Sequence, residues 1–144
     1  MTLKIENIND LVKLRFQKAK ETFAEIENHV QLGYWRTAAN RLYYACYYAV
    51  SALLIKNGIK AHTHSGTINQ FGFNFVRTDV FSQKEGRLFK DLFELRQDGD
   101  YDDWIIISKE DIIPLIEPVN LFIDKIERLI FVIPTGEEMD SKNN

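Results

Sequence analysis

One cysteine, three histidines, three prolines and seven glycines among 144 residues put several kinds of protein out of reach. The lone thiol, Cys46, excludes an internal disulfide framework. It lies inside an apolar helical pattern rather than beside a basic cluster, so it is expected to be small core filler. Three histidines and one cysteine assemble no zinc-type ligand spacing, and no metal site is expected. Basic residues are not in excess: 18 Lys and Arg against 21 Asp and Glu give a net charge of −3, which excludes a surface that binds polyanions in bulk. Any phosphate recognition must be local. Long hydrophobic runs are missing too, since the stretch from Tyr43 to Ile55 is interrupted by Ser51 and is too short to cross a bilayer. The opening "MTLKIENINDLVKLR" has no apolar h-region and no small-residue cleavage site. A soluble, cytoplasmic protein without a membrane segment is expected. There is no internal repeat and no Gly-rich phosphate loop, and no cofactor is expected.

What the chain does have is helical periodicity. Val12, Phe16, Ala19, Phe23, Ile26 and Val30 alternate spacings of four and three, predicting one helix with Asn9 as its cap and Gly33 beyond its end. Tyr34 to Asn57 carries two adjacent apolar stripes, as in a helix packed on several sides, and Gly58 marks its stop. "TINQFGFNFV" reads as a short helix weakened by Gly72. Ser82 to Glu85 is a capping-box pattern opening a helix that carries Leu88, Leu92 and Leu95 and ends near Gly99. "WIII" at Trp104 to Ile107 reads as an extended connector. Ser108 to Asp111 opens the last helix, where Ile112, Ile116, Val119, Ile123, Ile126, Ile130 and Ile133 hold their register through Pro114 and Pro118; a bend near the start is expected. The polar tail, 134–144, is expected to be loose beyond a single domain spanning 1–133. The predicted fold is all-α, an antiparallel up-and-down bundle of four long helices plus one short helix.

The polar residues break this pattern informatively. Arg41, Tyr44, Tyr48 and Ser51 share one face of the second long helix. The tyrosines read first as core aromatics with wet hydroxyl tips. An arginine fixed among phenols is also a good receptor for a phosphate, because it offers a fork of donors while the rings exclude water. Arg96 continues the aromatic line of Phe89 and Phe93, and it can pair with Asp100 if the helix persists through Gly99. In "AHTHSG", Thr63 or Ser65 can cap a helix whose Gly66 and Thr67 amides would face an anion, with His64 beside them as a phosphate contact or proton-transfer group.

"ANRLYYACYYAVSALL", "KAHTHSGTINQFGFNFV" and "LFELRQDGDYDD" together resemble the HEPN superfamily, most closely its small single-domain branch called UPF0332. The resemblance covers roughly residues 10 to 130 and rests on Arg41 to Ala45 and Arg96 to Tyr101. It implies a helical bundle, a homodimer, a minimal nucleotidyltransferase partner, and a nucleotide or RNA ligand. It also implies that Arg41, His64, Arg96, Asp100 and Tyr101 line one cleft; the residue pattern itself offers Tyr44, Tyr48 and Ser65 as further phosphate-binding candidates.

Ribonuclease members carry an arginine followed four to six residues later by histidine. Here Tyr101 stands five residues after Arg96, and no arginine precedes a histidine at that separation. A phenol, with a reference pKa of about 10, is a poor base at neutral pH. Metal-independent RNA cleavage would therefore use His64 with Arg96 and Tyr101, and a binding role ranks above it. A purely structural dimerisation domain is the remaining alternative.

Overall fold

The four-three register becomes four long helices in the computed structural model, which describes residues 7–131. Ile133 and the tail 134–144 lie outside the described residues. The order is α1 (Ile8–Ala24), α2 (Ile26–Gln31), α3 (Trp35–Lys56), α4 (His64–Phe71), a π-helical turn (Gly72–Val76), α5 (Gln83–Tyr101) and α6 (Lys109–Ile130), with no strand among the described residues. Cross-helix contacts fix the directions. The end of α1 meets the start of α3 through Glu25 and Arg41. Asn40 reaches Asp100, and Glu85 reaches Lys125, so α5 runs against both α3 and α6. The result is the up-and-down bundle expected.

The first helix departs from expectation in two ways. Its cap is Asn7, whose side-chain oxygen accepts from the Asp10 amide at 2.8 Å; Asn9 already lies inside the helix. A cap needs an extended backbone ahead of the first turn, which Asn7 has. The predicted single helix also turns at Glu25. The Thr22 hydroxyl bonds back to the Lys18 carbonyl, and the Glu25 amide reaches Thr22 three residues back. Glu25 stays in the right-handed region, so Phe23, Ile26 and Val30 keep their inward register. Gly33 and Gly58 both take positive φ beyond their helices.

Helix α3 is the axis of the core. Ala39, Leu42, Cys46, Ala49, Val50 and Leu53 are all buried, and burial of a leucine of this kind contributes about 1.5–3 kcal/mol. Burial also pushes the Cys46 thiol pKa up, as befits filler rather than a nucleophile. Capping boxes open α5 at Ser82 and Glu85 and α6 at Ser108 and Asp111.

Pro114 and Pro118 remain inside an unbroken α6. Lacking amide hydrogens, they withdraw the usual donors from the carbonyls of Glu110 and Pro114, and both prolines lie on the exposed side where water can substitute.

Helix α5 overruns Gly99 by two residues, because the bare Cα there admits Ile107. A Cβ at Gly99 would stand 2.6 Å from the Ile107 Cδ1. Arg36 fixes the same corner by donating to the carbonyls of Gly99 and Ile105.

Candidate functional site

Two helices of different chain position build the polar face. On α3, Asn40, Arg41, Tyr43, Tyr44, Tyr47 and Tyr48 occupy successive turns. On α5, Phe89, Phe93, Arg96 and Asp100 run the opposite way. Antiparallel packing therefore sets Arg96 opposite Tyr44 and Asp100 opposite Asn40.

Tyr44 is the meeting point. The Arg41 guanidinium lies 5.4 Å from the centroid of its ring and the Arg96 guanidinium 5.3 Å from the same centroid. Arg96 Nη2 also donates to the Tyr44 hydroxyl at 3.1 Å. Two cations near one ring gain from its quadrupole, but their mutual repulsion needs compensation. Asn40 and Asp100 supply it. Asn40 Oδ1 accepts from Arg41 Nε and Nη2 at 3.0 and 2.7 Å, while Asn40 Nδ2 donates to Asp100 Oδ2 at 3.0 Å. That same carboxylate oxygen stands 3.1 Å from Arg96 Nε. The Arg96–Asp100 contact is a close ion pair without good hydrogen-bond alignment, since the buried Nε meets no geometric hydrogen-bond partner. Asn40 thus links the two arginines through one carboxylate.

Arg96 is 9% exposed, the most enclosed cation of the described chain. It can be enclosed because its neighbours are aromatic and its charge is matched by Asp100. Tyr101 closes the outer side, its ring centroid 5.5 Å from the guanidinium and its own surface largely open. Tyr48 extends the ring line, 5.8 Å from Tyr44, and Lys18 of α1 lies over it at 4.9 Å.

His64 enters from α4. Its imidazole packs against Tyr47, Tyr43, Tyr44 and Phe93 at centroid distances of 4.8, 5.6, 5.8 and 6.0 Å. Burial lowers its pKa, and the nearby Arg96 charge lowers it further, both favouring the neutral imidazole. Its Nδ1 is 2.7 Å from the Tyr43 hydroxyl.

Arg41, Tyr44, Tyr48, His64, Arg96, Asp100 and Tyr101 are therefore neighbours. Ser65 is not among them: its exposed hydroxyl turns to Thr63 Oγ1 at 3.3 Å. The expected anion nest on α4 is also spent, because the Gly66 amide donates to Thr63 Oγ1 and the Thr67 amide to the Thr63 carbonyl, each at 2.9 Å. Thr63 is a good cap for the same reason that it occupies these two amides. Nor do the residues line a deep cleft. Cavities of about 480 Å³ beside Tyr47, Ser51 and His62, and about 550 Å³ between α5 and α6, are lined by other side chains. The site is an open polar face.

Asn40 and Tyr43 were not singled out by sequence. Asn40 adjoins Arg41 in the chain, which is the one local hint; its bond to Asp100 spans sixty positions. Tyr43 reads as core because its ring is core, fully buried and stacked on Phe89 at 5.9 Å. Among the described residues, no three His, Cys, Asp or Glu gather as metal ligands, and no helix is long and apolar enough to cross a membrane.

The chain as a whole is similar to known proteins. The HEPN domain family matches residues 12–129. A UPF0332 protein of Thermotoga maritima is 37% identical over 94 residues, covering 65% of this chain and 71% of that protein. A Methanocaldococcus jannaschii protein named "Putative toxin MJ0142" is 29% identical over 148 residues, covering 99% of this chain and 100% of its own. A UPF0332 protein of Archaeoglobus fulgidus is 25% identical over 121 residues, 84% of this chain and 96% of that one. With the bundle, the Arg41 and Arg96 motifs and a match across most of its length, the chain belongs to the HEPN domain family, in its small UPF0332-like branch.

Proposed function

We propose that this HEPN protein binds a nucleotide or an RNA phosphate on the face shared by α3 and α5, and that it has a toxin-like role. In this reading it works as a homodimer, paired with a minimal nucleotidyltransferase. The observation that carries the binding reading is the placement of two guanidinium groups from separate helices against one tyrosine ring. The full-length similarity to a relative named as a toxin supports the role.

The chemistry favours binding over cleavage. Arg96 Nη1 has no protein partner among the described residues and is not sealed from solvent; Arg41 Nη1 has only Glu25, at 3.9 Å. Both can donate to phosphoryl oxygens, with Lys18 adding charge nearby. Binding of a charged phosphate here weakens as salt rises, because salt screens the attraction between the phosphate and the guanidinium groups. Cleavage would need a base for the 2′-hydroxyl and an acid for the leaving oxygen. Burial and the Arg96 charge lower the His64 pKa, which disfavours it as the acid, and a phenol occupies the position where ribonuclease relatives carry histidine.

Titration of ATP and of a short single-stranded RNA into wild type, Arg41→Ala and Arg96→Lys tests the reading. Each variant is expected to lose about tenfold or more in affinity for whichever ligand binds, because the fork is removed or replaced by a point charge. Unchanged affinities in folded variants would show that the face is not the binding site.

A further inference from the structure

The Tyr43 hydroxyl belongs to the least exposed ring of the polar face, yet it reaches His64 Nδ1 at 2.7 Å. Which of the two atoms carries the shared hydrogen decides what His64 can do. If Nδ1–H donated to the phenol oxygen, the phenolic hydrogen would need an acceptor of its own, and Tyr43 makes no other side-chain hydrogen bond among the described residues. A buried hydroxyl hydrogen without an acceptor loses its hydration and gains nothing. In the opposite arrangement the phenol donates to a bare imidazole nitrogen, a strong acceptor, and the buried phenolic hydrogen is used.

We infer that Tyr43 is a positioning residue that fixes neutral His64 as its Nε2–H tautomer, turning the imidazole into a hydrogen-bond donor on the anion-binding face. The second ring nitrogen is open to such a role: Nε2 has no protein partner among the described residues and is not sealed from solvent. Burial, reinforced by the neighbouring phenols Tyr47 and Tyr44, pushes the Tyr43 pKa up, so the hydroxyl keeps its proton. The ring stacking of Tyr43 on Phe89 and its packing against Tyr44 and Phe93 hold the hydroxyl in place without help from the bond itself.

The consequence deepens the proposed function and, for its functional meaning, rests on it. A histidine with its lone pair on Nδ1 occupied by Tyr43 and a hydrogen on Nε2 cannot take a proton from a 2′-hydroxyl facing Nε2. It can donate to a phosphoryl oxygen beside Arg96. The same dyad that makes His64 a ligand contact thus removes it as a general base.

Nitrogen-15 NMR of the histidine side chains, recorded on the full chain at neutral pH and assigned by loss of one signal set in His64→Gln, tests this directly. The expected spectrum shows His64 with an unprotonated Nδ1 and a protonated Nε2. In Tyr43→Phe, which keeps the ring, the two nitrogen shifts should move toward each other as the tautomers begin to exchange. A protonated Nδ1 in the wild type overturns the inference, as does a Tyr43→Phe spectrum identical to wild type. The wild-type spectrum can overturn the inference even if the variant does not fold. Adding AMP to the same sample separates the two proposals. The tautomer found without any AMP-induced shift of Nε2 leaves the Tyr43 inference standing and counts against nucleotide binding alone.

Discussion

Two aromatic clusters meet along α3 and α5, and they differ in little but oxygen and charge. Phe71, Phe81, Phe89 and Phe122 pack at centroid distances of 5.0 to 6.2 Å. Tyr43, Tyr44, Tyr47, Tyr48 and His64 pack at 4.8 to 5.9 Å. They join through the stacked pair Tyr43 and Phe89. The phenylalanine cluster packs without hydroxyls. In the tyrosine cluster two hydroxyls make hydrogen bonds: Tyr44 receives Arg96, and Tyr43 meets His64.

The sharpest way to break the comparison is to disable each side in turn. Phe122→Ala should cost about 3–5 kcal/mol in chemical denaturation, as expected for a fully packed phenylalanine, while any folded fraction binds its ligand with unchanged affinity. Arg96→Lys should do the reverse, with a loss of about 1.4 kcal/mol or more of binding energy by titration and a smaller change in stability.

The rim of the phenylalanine cluster supplies a pH contrast. Burial alone would raise the Glu85 pKa, but bonds from the Ser82 backbone, from Lys125 and from the Ser82 hydroxyl outweigh it, and the net shift is downward. Its carboxylate thus stabilises the fold above its unfolded pKa of about 4.3, and that contribution disappears as pH falls through the lower folded value. Glu85→Gln should flatten the acid limb of the stability profile measured by thermal melts. Ser82→Ala, which removes the hydroxyl half of the cap of α5, should cost about 1 kcal/mol. Smallest of all is Tyr48→Phe: no protein hydrogen bond holds that hydroxyl among the described residues, so the change in stability should stay within about 0.5 kcal/mol.

These two clusters were not equally legible in the sequence. The phenylalanine side follows from apolar spacing, and the same local rules anticipate the capping box of α5, the start of α6 at Ser108, the positive-φ glycines and an α6 that runs through its prolines. The bend at Glu25 escapes them because its right-handed backbone leaves the apolar register intact. The π-helical turn after α4 escapes because Gly72 there stays helical instead of ending the segment.

On the tyrosine side, spacing puts Arg41, Tyr44 and Tyr48 on one face and Arg96 with Asp100 on another. It cannot say that the faces meet. That depends on how α3 and α5 slide past each other, and on Asn40, whose meaning is set by a residue sixty positions away. The free amides expected at α4 failed for a local reason: Thr63 satisfies the Gly66 amide through its hydroxyl and the Thr67 amide through its carbonyl.

The most direct test of the central claim is a double-mutant cycle on ligand affinity, combining Arg41→Ala with Arg96→Lys in titrations at fixed salt. If both cations grip the same phosphoryl group, each single variant loses about tenfold or more, and the double variant departs from the sum of the two losses. Losses that simply add would mean that the two guanidinium groups act independently rather than on one phosphoryl group, and no loss in either variant would mean that neither holds the ligand.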